Sequence, residues 1–77
     1  MEIKKTLDAS GLDCPLPLLK AKFELSKLLP GEVLKVIATD PSSLKDFESF
    51  SRISGNVLLE IEENNNNLIF IFEKRSD

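Results

Sequence analysis

One segment gathers the residue types that can do chemistry: Leu7-Asp8-Ala9-Ser10-Gly11-Leu12-Asp13-Cys14-Pro15-Leu16-Pro17. Cys14 is the sole cysteine of the chain. A proline disfavours helical geometry in the residue before it, so Cys14, or Leu16 if the helix begins only at Pro17, is expected at the N-cap of a helix. Either way the sulfur lies within about one turn of the helix's positive end, where a thiolate is stabilised by the dipole and by free amides. Pro15 and Pro17 have no N–H and would act by positioning the thiol. The neighbouring Asp13 opposes a second negative charge, so the expected thiol pKa is lowered, though not extremely. A lone cysteine also fits a small buried hydrophobe with no reactivity.

The residue types that are missing narrow the chemistry further. The chain has no His, so neither a Cys–His nor a Ser–His–Asp arrangement can form. One cysteine allows no internal disulfide and no CxxC pair, and no metal site is expected. An unpaired thiol suits a reducing compartment. The start, Met1-Glu2-Ile3-Lys4-Lys5, lacks an apolar stretch behind its charges. The reading is a cytoplasmic protein with no signal peptide and no membrane association.

The elements that must position Cys14 follow from periodicity. Lys4 to Asp8 reads as a first strand with Ile3, Lys5 and Leu7 on one face, and Ser10-Gly11 as a turn. Pro15 to about Leu29 is helical, with Leu18, Ala21, Leu25 and Leu28 at core spacing and Leu19 and Phe23 widening the apolar stripe. Lys20, Glu24 and Lys27 are spaced for weak pairing on another face. Lys20 and Lys22 read either as part of a solvated surface or as the contact that meets a partner. Pro30-Gly31 stops this helix.

Val33 to Thr39 is β-branched and apolar, a strand expected to be buried on both faces. Asp40-Pro41-Ser42-Ser43 opens a second helix carrying Leu44, Phe47 and Phe50. In it Ser43-x-x-Asp46 resembles a capping box, so Asp40 and Asp46 read as caps. Gly55 closes that helix. Val57 to Glu62 and Leu68 to Lys74 form an antiparallel hairpin around Asn64 to Asn67, the latter strand lying inside the sheet.

The order βαβαββ predicts an α/β chain of the α+β two-layer sandwich kind: a mixed four-stranded sheet, both helices on one face, strands 1 and 2 parallel. Asp8 and Asp40 then end adjacent parallel strands and flank Cys14 at one sheet edge, where sites in such folds lie. The other sheet face looks too apolar to stand alone in water.

Seventy-seven residues make one domain, expected over 1–77. The net charge of -3 argues against an electrostatic grip on nucleic acid. That charge sits in the final hairpin and tail, where Glu60, Glu62, Glu63, Glu73 and Asp77 face only Lys74 and Arg75. It reads as a solvated acidic surface.

The segment Leu7-Asp8-x-x-Gly11-Leu12-x-Cys14-Pro15-x-Pro17 resembles the CPxP signature of the TusA/SirA-like sulfur carriers. Pro30-Gly31-Glu32, Thr39-Asp40-Pro41 and Asp46 are similar to that family's later landmarks, so the likeness runs from about Leu7 to Lys74. It implies the same βαβαββ sandwich, no cofactor, and a persulfide carried on Cys14. The sulfur would come from a cysteine desulfurase or rhodanese-like donor and pass to an acceptor protein. Pro15 and Pro17 would position the thiol, with Asp8, Gly11, Asp13 and Asp40 flanking it, and the carrier is expected to be a monomer. Many members carry a further Cys where this chain has Phe50-Ser51, and Gly-His where it has Gly55-Asn56. The alternative from a different class is a binding or regulatory module whose cysteine is inert.

Overall fold

Four strands and two helices follow one another in the order β1 (Ile3–Ala9), α1 (Leu16–Ser26), β2 (Val33–Ala38), α2 (Ser43–Ser54), β3 (Val57–Asn64) and β4 (Asn67–Glu73). They are seen in a computed structural model that describes residues 2–75. The sheet order is β1-β2-β4-β3. β2 lies parallel to β1 and antiparallel to β4, and β3 closes the hairpin with β4. The chain is therefore an α+β two-layer fold with a mixed sheet, as its pattern predicts.

One sheet face and both helices make the core. Leu34, Val36 and Ala38 of β2 and Leu68, Phe70 and Phe72 of β4 alternate along their strands, so they share a face. Against that face pack Ala21 and Leu25 of α1 and Phe47 of α2. The Phe47 ring sits 4.5 Å from Phe70 and 5.5 Å from Phe72, in tilted and edge-on geometries that favour aromatic contact. Burying a phenylalanine side chain contributes about 1.5–3 kcal/mol, so these rings anchor α2.

The opposite sheet face is apolar only along its centre. Val33 and Ile71 are buried and Ile37 and Ile69 half-buried there. Toward the edges Asp8 pairs with Ile37, Glu60 with Ile71 and Glu62 with Ile69, the exposed Ile3 stands opposite Val33, and Thr6 opposite Lys35 adds a polar pair. The polar alternation missing from the two inner strands is thus supplied by the two edge strands.

Several local expectations are corrected. α1 ends at Ser26 rather than near Leu29, because the Ser26 hydroxyl bonds the Phe23 carbonyl and the Leu29 amide donates to Glu32 Oε1 at 2.7 Å. Leu19 and Phe23 do not join the core; they are 51% and 62% exposed. Pro17, not foreseen as core, is buried. In β3 a register shift between Leu58 and Glu60 sets Leu58 and Ile61 opposite the core residues Phe72 and Phe70; Leu58 packs on the core, and Val57, Leu59 and Ile61 stay exposed. In β1 a similar shift between Ile3 and Lys5 leaves Ile3 outside while Leu7 meets the core.

The asparagine run makes a tighter turn than a four-residue loop. Asn64 and Asn67 are paired, and only Asn65 and Asn66 turn, at φ 50 and 70. A two-residue hairpin turn of the I′ kind needs positive φ at both central positions, which asparagine tolerates better than most residues with a side chain. Asp77 lies outside the described residues.

Candidate functional site

Three chain segments meet at one end of the parallel β1–β2 pair. The first is the loop between β1 and α1. Its Gly11 adopts φ 79, a conformation costly for other residues, and its amide donates to Thr39 Oγ1 at 2.8 Å. The second is the stretch after β2. There the Asp40 carboxylate accepts from the Cys14 amide through Oδ2 at 2.6 Å and from the Ser42 amide and hydroxyl through Oδ1 at 3.0 and 2.9 Å. The third is the first turn of α2, from which Asp46 Oδ2 accepts a hydrogen bond from Cys14 Sγ at 2.7 Å. Cys14 is exposed, so the buried-hydrophobe reading does not hold.

Cys14 lies beside the start of α1, but the N-cap is neither Cys14 nor Leu16. The N-cap of α1 is Pro15, one residue past Cys14, and the Cys14–Pro15 peptide is cis. Pro17 falls in the first helical turn with its ring packed inside. Few amides face outward there: Pro15 and Pro17 have none, and Leu16 donates to the Asp13 carbonyl at 2.9 Å.

The thiol pKa is correspondingly raised above the ordinary 9.0, against the expectation of a lowered value. The hydrogen bond to Asp46 is the main cause, because it favours the protonated sulfur; partial desolvation and the negative charges of Asp46 and Asp40 act the same way. The Ser42 hydroxyl opposes them by favouring the thiolate. The carboxylates that govern the sulfur therefore come from the β2–α2 side, not from Asp13.

The remaining site residues separate. Asp8 Oδ1 accepts from the Ser10 amide at 3.0 Å and so fixes the turn after β1; the Ser10 hydroxyl first and then that amide hold its carboxyl below the usual range. No bond joins it to Cys14 among the described contacts. Asp40 is also lowered, first by its bond from the Cys14 amide and then by Ser42. Lys20 and Lys22 occupy different surfaces. Lys20 lines a shallow groove with Leu7, Leu16, Leu19 and Phe23. Lys22 lies 5.8 Å from the Phe50 ring, in a groove that Asp46 also lines. Glu24 pairs with Lys27 and Lys5, at 3.4 and 3.8 Å, rather than with Lys20.

The residues around Asp46 mark it as a cap, and the family resemblance names it as a landmark without a role. The capping box does not form: Ser42 is the N-cap, and the Ser43 hydroxyl is buried without a hydrogen-bond partner. Asp46 is turned to the sulfur instead. Its spacing from Ser43 points to local capping, and only the tertiary fold shows otherwise. Among the described residues no group of three or more side chains is arranged to hold a metal ion.

The family model described as Sulfurtransferase TusA matches residues 5–74, nearly the whole chain. The chain belongs to the TusA family. It is 48% identical over 73 residues to the sulfur carrier protein TusA of Allochromatium vinosum, covering 95% of this chain and 96% of that one. The TusA of Pseudomonas aeruginosa is 39% identical over 71 residues, 92% of this chain and 90% of the other. Among solved structures, the SirA-like protein of Desulfitobacterium hafniense superposes with a TM-score of 0.81 at 26% identity, covering 94% and 99% of the two chains. Both TusA relatives are sulfur carrier proteins. No helix among its described residues is long and apolar enough to cross a membrane.

Proposed function

We propose that the chain takes up sulfane sulfur as a persulfide on Cys14 and hands it to an acceptor protein. The donor is a cysteine desulfurase or a rhodanese-like protein. The acceptor serves tRNA thiolation, cofactor synthesis or sulfur and selenium metabolism. The observation that carries this reading is the exposed thiol of Cys14, fixed at the backbone by Asp40 and at the sulfur by Asp46. Sulfur transfer between thiols needs one accessible sulfur held where a partner's cysteine can reach it, and no second cysteine in the carrier.

The test is the intact mass of the protein after incubation with a cysteine desulfurase, its cofactor and cysteine. A gain of about one sulfur atom, lost on reduction and absent from Cys14→Ser, is the expected result. No gain with desulfurase or rhodanese donors, together with wild-type behaviour of Cys14→Ser in partner binding, would favour the inert binding module instead.

A further inference from the structure

We propose that Asp46 is the proton acceptor and donor for Cys14 during sulfur transfer. The inference rests on the carrier reading above and concerns how an exposed but protonated thiol performs it. Cys14 Sγ already donates to Asp46 Oδ2 at 2.7 Å, within reach for proton transfer without rearrangement. The carboxylate of Asp40 is fastened to the Cys14 amide. A free thiolate would therefore be a third negative charge beside two carboxylates. Passing the proton to Asp46 as the new bond forms keeps the charge of the site constant.

The step balances. An electron pair on Cys14 Sγ attacks the terminal sulfur of the donor persulfide, forming one S–S bond while the donor's own S–S bond breaks. The donor cysteine leaves as a thiolate. The Cys14 proton moves to Asp46 and from there to that thiolate, so nothing is oxidised or reduced overall. Unloading runs in reverse. The acceptor thiol passes its proton to Asp46, the resulting thiolate takes the terminal sulfur as the Cys14 Sγ–S bond breaks, and Asp46 gives that proton to Cys14 Sγ as it leaves.

The groups around the sulfur are few. Asp46 and the Ser42 hydroxyl reach it from α2 and its cap, and Asp40 stands in the loop before them. Asp13 precedes Cys14 in its own loop, and Lys22 of α1 shares with Asp46 the groove between the helices.

Two rates measured across pH on wild type and Asp46→Asn decide the matter: alkylation by iodoacetamide, and sulfur uptake from a persulfide donor. Alkylation needs only thiolate and its iodide leaving group needs no proton. Asp46→Asn removes the negative charge that favours the protonated thiol and supplies an N–H that can donate to the thiolate, so its alkylation midpoint should move down and its rate at pH 7 rise. Sulfur uptake should move the opposite way, falling at least about tenfold, the low side of what a positioned acid or base contributes. If Asp46→Asn takes up sulfur as fast as wild type or faster while wild type loads normally, Asp46 only suppresses the thiolate and the proposal is wrong. Wild type that takes up no sulfur overturns the carrier reading itself, a separate result.

Discussion

Asp40 shows how one side chain can hold a site from the backbone side. Its two oxygens accept three bonds, from the Cys14 amide, the Ser42 amide and the Ser42 hydroxyl, and these favour the ionised form. Its pKa is therefore below the ordinary 3.8. A carboxylate depressed in the fold contributes stability above its unfolded pKa and loses that contribution as pH falls through its folded one. The cradle should therefore persist at pH 3.8 and open only below it. An NMR titration should give Asp40 a midpoint under 3.8, with the Cys14 amide proton shifting at that same midpoint. A midpoint at the ordinary value, or an amide that ignores it, would mean the bond does not persist in solution. Asp40→Ala should leave Cys14 accessible yet slow sulfur uptake about 10–100-fold, because it loosens the thiol rather than removing it. The place of Asp40 was legible in the sequence, since a residue ending a parallel strand beside a helix start is bound to lie near that helix. The raised thiol pKa was not, because it comes from Asp46, thirty-two residues away in sequence.

The boundaries of the elements were read best where a single residue's stereochemistry decides them. Gly55 closes α2 at φ 85, its amide donating to the Ser51 carbonyl at 3.1 Å. A Cβ there would meet Arg75 Cδ at 3.4 Å, an ordinary contact, so space does not exclude a side chain. The cost of Gly55→Ala is thus backbone strain, about 1–2 kcal/mol, and the midpoint of urea unfolding should fall accordingly with an unchanged slope. Gly55→Asn should cost less, since asparagine visits this conformation more readily. Equal losses in the two variants would show that the left-handed geometry is not the source. By contrast, the helix end near Ser26 and the register shift in β3 were not legible. They depend on Glu32 reaching back to the Leu29 amide and on Leu58 fitting beneath α2, contacts that no local pattern records.

The site exists only while the two helices hold their places on the sheet, because its parts come from the β1–α1 loop, the end of β2 and the start of α2. A chain of this size has a total stability of about 4–12 kcal/mol, at roughly 0.05–0.15 kcal/mol per residue. Phe47 neighbours Asp46 in sequence, is fully buried and touches both Phe70 and Phe72. Phe47→Ala removes that anchor and should cost about 3–5 kcal/mol, a large part of the total. Ile53 lies on the same helix but is 84% exposed, and Ile53→Ala should change stability by less than about 0.5 kcal/mol. Urea unfolding separates the two cases, and Cys14 links the result to function. As Phe47→Ala unfolds, Asp46 leaves the sulfur, so the alkylation midpoint of Cys14 should fall toward the ordinary 9.0 in step with the unfolded fraction. In Ile53→Ala the midpoint should stay where wild type has it. If Phe47→Ala unfolds while the Cys14 midpoint does not move, the pairing of Cys14 with Asp46 is local to the chain and does not depend on the sandwich.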